Sequence, residues 1–213
     1  SLVKGLYEKH RERIVEAAAE VDDTLATKYL EGEALTDGEV LAALRKGVLE
    51  GTVVPVLAGS AAQNLGVREL LDAVLTFLPS PADRPPREVA NPVTGQKETV
   101  QADPTGPLVA QVFKTTADPY VGRLSLLRVF SGTFPANAEV FNATKGASER
   151  VGQVFLLRGK AQESVPHLIA GEVGAVPKLS NTFTGDTLCQ KDHPLILPPL
   201  QAPTPTYILA VHP

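Results

Sequence analysis

Methionine and tryptophan are absent from the 213 residues, aromatics make up only 5%, and a single cysteine, Cys189, stands alone. Each scarcity excludes something. One cysteine cannot form an internal disulfide or a cysteine-rich zinc site, and as a small, weakly polar side chain it is expected to be buried. With few rings available, cores must be built from Leu, Val, Ala and Ile. No run approaches the roughly 18 apolar residues of a membrane span, and no signal-peptide layout occurs. The expected compartment is the cytoplasm, with no membrane partner. The four histidines, His10, His167, His193 and His212, have no neighbours at metal-ligand spacing, so no metal site is expected and surface roles are. No Gly-x-Ser-x-Gly elbow supports a nucleophilic serine, and no catalytic set emerges.

What is present suffices for one large domain or two modest ones, with 43% apolar residues. Net charge is −4 but uneven: residues 1–50 hold seven Lys/Arg against eleven Asp/Glu, whereas residues 104–187 hold eight against six. The acidic start is a poor nucleic-acid surface, while the later part can carry a local basic patch. The chain opens on helix-like sequence without a leading Met, which reads as the interior of a longer chain.

Apolar residues at Ile14, Ala17, Ala18, Val21, Leu25 and Tyr29 recur at helical spacing, predicting one helix over residues 6–30, while Asp22-Asp23 reads most simply as a solvated helix end. Thr36 followed by Glu39 forms a capping-box pattern ahead of a second helix, with Val40, Leu41, Leu44 and Val48 as its stripe and Gly51 as its stop. Val53–Leu57 is a wholly apolar run expected to be a strand covered on both faces, placed at an edge by Pro55. A third helix is expected from Gly66 to Leu78, with Val67, Leu70, Leu71, Val74 and Leu75 facing inward and Pro79 and Pro81 ending it. The proline-rich stretch 81–103 reads as an inter-domain linker, with a hairpin tip at Val93-Thr94-Gly95-Gln96. From Leu108 the period switches to two. Short β-rich runs with tight turns predict an antiparallel barrel over residues 104–196, and Lys145-Gly146 suits a hairpin tip. Residues 197–213 are a second linker and, at "TYILAVHP", a further strand.

For chemistry the pattern offers one corner. Gly59-Ser60-Ala61 follows the apolar run and precedes a helix, where small residues let backbone N–H groups approach a planar ring. One such bond contributes about 0.5–1.5 kcal/mol net, enough to tune recognition and too little to bind a nucleotide alone. An ordinary strand-to-helix turn is the competing reading. No Gly-x-x-x-x-Gly-Lys-Ser/Thr occurs to cradle phosphates, and Asn-Lys-x-Asp is missing. Asp103-Pro104-Thr105-Gly106 fits Asp-x-x-Gly formally, but lies in the linker with no strand before it.

The order of these pieces resembles the elongation factor G family of translational GTPases. "LAGSAAQNLGVRELLDAVLTFLPSP" is similar to the last strand, guanine loop and last helix of that family's GTPase domain. "ADPYVGRLSLLRVFSGTF", "NATKGASERVGQVFLLRGK", "AGEVGAVPKL" and "TGDTLC" resemble its second domain, in order. "VDDTLATKYLEGEALTDGEVLAALRKG" is similar to the helical end of the insertion in its GTPase domain. Ala147-Ser148 after "TKG" stands where translocating members typically have more basic residues, and "LLRGKAQESVPHLIAG" resembles more closely the family's divergent paralogues.

The resemblance implies a multidomain α/β plus all-β chain. Residues 1–50 would end the insertion, 51–80 the GTPase α/β domain, 104–196 would be barrel domain II, and 197–213 would start domain III. It implies that Gly59, Ser60 and Ala61 form the fifth guanine motif of a GTP/GDP site. The phosphate loop, switches and Mg²⁺ ligands would lie outside these residues, leaving them without GTP turnover alone. The implied partner is the ribosome, chiefly small-subunit ribosomal RNA, met by Arg123, Lys145 and Arg150; DNA is not expected, and a monomer is. Translocation during elongation is the implied task. Ribosomal protection, release or recycling, a non-catalytic RNA-binding module, and a protein-binding barrel with a helical cap remain as alternatives.

Overall fold

A computed structural model describes residues 2–118, 122–201, 203 and 210. The expected strand at "TYILAVHP" lies outside the described residues. The chain divides into two compact units, Ser1–Pro79 and Ser80–Pro213.

The first unit is helical. Helix α1 (Leu2–Ala19) is followed by α2 (Asp23–Leu30), so the single helix expected over 6–30 is broken. Asp22 is the reason: it takes an extended backbone and accepts the Thr24 N–H on its carboxylate, starting a new helix. That carboxylate also meets Lys46 at 3.2 Å, so Asp22 lies at a helix end, as the sequence suggested, but as an ion-paired cap. Helix α3 (Asp37–Glu50) starts on the Thr36–Glu39 capping box and stops at Gly51 in the left-handed conformation, as the sequence predicts. Ala18, Ala19, Leu35, Val40 and Ala43 form a small core, with Val15, Leu25 and Leu44 packed against it. Ile14, Tyr29 and Leu41, expected in the stripes, are exposed.

Helix α4 (Val67–Phe77) forms where periodicity places it. Its apolar stripe is not inward, however: Leu70, Leu71, Val74 and Leu75 are all exposed, Leu75 by 81%. Nor is Val53–Leu57 a strand. No ladder is made there, and Val54 and Val56 are 80% and 90% exposed. A strand exists only by pairing, and among the described residues nothing pairs with this run.

The second unit is antiparallel β. Its strands are β1 (Arg87–Ala90), β2 (Lys97–Val100), β3 (Val109–Asp118), β4 (Gly122–Ser131), β5 (Thr133–Pro135), β6 (Glu139–Asn142), β7 (Ala147–Arg150), β8 (Val154–Arg158), β9 (Ala161–Val165), β10 (His167–Ile169), β11 (Val173–Pro177) and β12 (Thr187–Cys189). Eight of them form one sheet in the order β7, β6, β12, β3, β4, β11, β8, β9, while β5 pairs with β10 and β1 with β2. The β3–β4 register shifts between Val109 and Ala110 and again between Val112 and Lys114. Such bulges bend and twist a strand. The sheet accordingly wraps around one core, in which Val112, Leu127, Val129, Phe134, Val154, Leu168, Val176 and Leu188 are 0% exposed. This large antiparallel sheet agrees with the expected barrel, although among the described residues no ladder joins its end strands β7 and β9. Two of the unit's strands, β9 and β10, fall in "AQESVPHLI", which shows no clean alternation in sequence.

The proline-rich stretch is more structured than a linker. Its β1–β2 hairpin turns at residues 91–96, where Asn91 accepts the Gly95 N–H and donates its own to Gln96. Val89 and Val100 are buried with Val109, Leu195 and Leu197 in a second core. Asp103 ends the stretch in a side-chain-capped turn: one carboxylate oxygen accepts the Thr105 N–H and hydroxyl, both at 2.8 Å, holding the carboxyl below its usual range. Its carbonyl oxygen takes the Gly132 N–H at 2.8 Å.

Cys189 is wholly buried, its thiol 3.5 Å from the Phe141 carbonyl oxygen and pushed up in pKa by desolvation. No helix among the described residues is long and apolar enough to cross a membrane.

Candidate functional site

Gly59, Ser60 and Ala61 sit in a tight loop ahead of α4. Ser60 and Leu65 exchange both backbone bonds, at 2.9 and 3.0 Å, enclosing a single 3-10 turn at residues 61–63. Two glycines permit the crossing. A Cβ on Gly59 would lie 2.8 Å from the Leu65 carbonyl oxygen, and one on Gly66 would lie 3.0 Å from that of Ala58. Beside the loop is an open concavity of about 200 Å³, lined by Leu57, Gly59, Ser60, Ala61, Leu65 and Leu70. Ligand pockets run from about 300 to 1,000 Å³, so the hollow matches part of a base and not a nucleotide.

The hydrogen bonds sort the donors. The Ser60 N–H is taken by the Leu65 carbonyl, whereas the Ala61 N–H has no partner among the described residues. Of the Ser60 and Ala61 N–H groups, the one left open to an outside acceptor is that of Ala61. Among the described residues no three His, Cys, Asp or Glu side chains gather where they could hold a metal ion.

On the barrel, the three basic residues singled out in sequence differ. Lys145 stands exposed in the turn between β6 and β7, and Arg150 is exposed opposite Glu139 on the same hairpin. The turn is built by Asn142, whose side-chain oxygen accepts the Lys145 N–H at 3.0 Å and whose carbonyl takes the Gly146 N–H at 2.8 Å. Arg123, by contrast, is half-buried. Its guanidinium donates to the Ser180 carbonyl at 3.2 Å and lies 4.9 Å from the centre of the Phe183 ring. Lys145 and Arg150 share one hairpin, while Arg123 holds the loop between β11 and β12.

That loop has a second anchor, which the sequence reading missed. Glu149, on β7, is 3% exposed and accepts the Ser180 N–H (2.9 Å), the Asn181 N–H (2.7 Å) and the Thr182 hydroxyl (2.9 Å). Beside it the buried Asp186 accepts from the Asn142 side-chain amide at 3.0 Å and the Phe183 N–H at 2.9 Å. The available signal was Glu149 itself, an acid at the inward position of a strand of alternating burial.

This buried polar lattice binds "SNTFTGDT" to the strand pair that carries Lys145. Residues 107–191, which contain it whole, match the family described as elongation factor G domain 2. That stretch of the chain is elongation factor G domain 2-like. A crystal structure of a Thermus thermophilus protein is similar over 90% of the chain, at 29% identity and a TM-score of 0.66. The chain spans 26% of that protein's length. The likeness thus reaches beyond the elongation factor G-like barrel into the helical unit.

Proposed function

We propose that this elongation factor G-like chain serves a ribosome-dependent translational GTPase, with the barrel docking on small-subunit ribosomal RNA and the Ala61 corner touching guanine. The observation that carries the reading is the match of the β sheet to elongation factor G domain 2. The bare apolar faces of residues 53–57 and α4 support the rest: they are the surfaces that the sheet of a GTPase domain would cover. In that setting Gly59, Ser60 and Ala61 close one side of a guanine pocket. The phosphate grip, Mg²⁺ and hydrolysis come from other residues, and the 213 residues alone turn over no GTP.

On the barrel the docking contacts are Lys145 and Arg150, which are exposed and free of ion pairs among the described residues. Phosphate contacts of this kind give affinity that falls with salt and carries no base readout. Arg123 acts behind them by fixing the β11–β12 loop. The test is binding of the chain to purified small subunits across a salt series. Changing Lys145 and Arg150 to Glu should weaken binding and flatten the salt slope by about 2, one per phosphate contact. Equal affinity and slope in the double variant would refute the docking surface.

A further inference from the structure

Three arginines converge on a hollow that no proposal above uses. It lies within the second unit, holds about 510 Å³, and is lined by Arg84, Arg87, Arg128 and Phe130 among others. Arg87 and Arg128 both lie over the Phe130 ring, their guanidinium carbons 4.9 and 5.6 Å from its centre. Among the described residues none of the three makes an ion pair. The one acid on the wall, Glu88, is instead 3.6 Å from Lys97 on the neighbouring strand. The Nε–H of Arg128 is buried and has no hydrogen-bond partner among the described residues.

Three unpaired cations around one cavity repel one another, and a buried charged donor left without an acceptor is costly. The repulsion is relieved by one kind of occupant, a polyanion with oxygens in reach of planar guanidinium forks. A lone carboxylate neutralises one of the three charges; linked phosphates neutralise several. The volume falls within the range of small-molecule sites.

The walls are fixed in advance. Pro81 sits against Gly171, where a Cβ would come within 2.6 Å of its ring. Ala90, at the end of Arg87's strand, exchanges backbone bonds with Ile196 at 2.9 and 2.8 Å. Arg128 itself is held in the centre of the sheet, between β3 and β11.

We propose that this hollow binds linked phosphates, with the guanidinium groups of Arg84, Arg87 and Arg128 as their ligands. The phosphates can belong to a free nucleotide or to successive residues of an RNA strand. The site uses neither Lys145 nor Arg150, so it stands or falls separately from the docking surface proposed above.

The test is NMR of the arginine side-chain Nε–H signals of the whole chain at constant ionic strength. Inorganic pyrophosphate is titrated in one arm and a single-stranded RNA dodecamer in the other. The expected result is a saturable shift of the Arg128 Nε–H in at least one arm. The rim pair Arg84→Gln with Arg87→Gln should weaken it at least about tenfold, as should Arg128→Lys when read on the Arg87 Nε–H, while Lys160→Gln, away from the hollow, leaves it unchanged. Saturation by pyrophosphate assigns the site to a free phosphate compound, and saturation by RNA alone assigns it to a strand. An Arg128 signal that moves in neither arm, or affinity unchanged in the rim pair, overturns the proposal.

Discussion

Replacing Glu149 with Ala should loosen the loop between β11 and β12 and cost the barrel about 2–4 kcal/mol. The magnitude follows from its three bonds. Hydrogen bonds to an ionised acceptor contribute about 1.5–3 kcal/mol each, and Glu149 accepts three between 2.7 and 2.9 Å. Against their sum stands the cost of keeping a carboxylate at 3% exposure, several kcal/mol. Ser180 and Asn181 are themselves exposed, so water recovers part of what their N–H groups lose. Thr182 is wholly buried and keeps only its 3.2 Å contact with Asn142. Glu149→Gln should cost less, about 1–2 kcal/mol, because one carbonyl oxygen still accepts while its amide faces a donor. The assay is urea unfolding followed by NMR intensities of barrel amides such as Val112 and Leu188, with hydrogen exchange at Ser180 and Asn181 read in parallel. A loss below about 0.5 kcal/mol, with both amides still protected, would refute the reasoning and leave Asp186 as the true anchor.

Two further outcomes are expected. Lys28 at 2.6 Å, then the Thr36 N–H and hydroxyl at 2.9 Å, hold the Glu39 carboxyl down to about 2 from 4.5. Because the folded pKa is the lower one, its stabilisation of the helical unit is complete above pH 4.5 and disappears as pH falls toward 2; circular dichroism melts at about pH 5 and about pH 2.5 should differ more for the parent than for Glu39→Gln. Gly132→Ala places a Cβ 2.7 Å from the Leu108 Cα at a φ of +75°, a clash and a left-handed strain together. The expected loss is about 2–4 kcal/mol in the same urea assay, and a neutral result would show that the β4–β5 corner can relax.

Much of the barrel was legible because period-two burial is written residue by residue. β3, β4, β11 and β12 read as strands, the Lys145-Gly146 tip follows from turn chemistry, and the capping box at Thr36 is a local device acting within a single helical turn. Burial of Cys189 also follows from residue type. The failures have one cause in common, dependence on what lies across from a residue. Val53–Leu57 has strand composition but no partner backbone among the described residues, and the stripe of α4 is left exposed. Asp22 breaks a periodic helix because its carboxylate captures the Thr24 N–H, a choice that spacing alone does not display.

The sites divide in the same way. That Gly59, Ser60 and Ala61 form a close backbone corner was readable from side-chain size; that the Ser60 N–H is already bound, leaving Ala61, needed the Leu65 carbonyl in place. Lys145 and Arg150 are basic in any reading, but Arg123 is drawn inward only once Ser180 and Phe183, far along the chain, are brought beside it. Glu149 with its loop, and three arginines around Phe130, come from segments far apart in the chain. By itself the sequence determined which residues alternate, cap and turn, since those preferences act over a few neighbouring residues. Tertiary structure alone decided which polar groups are satisfied and which are left waiting, since a hydrogen bond or an unpaired charge depends on distance in space and not on order along the chain.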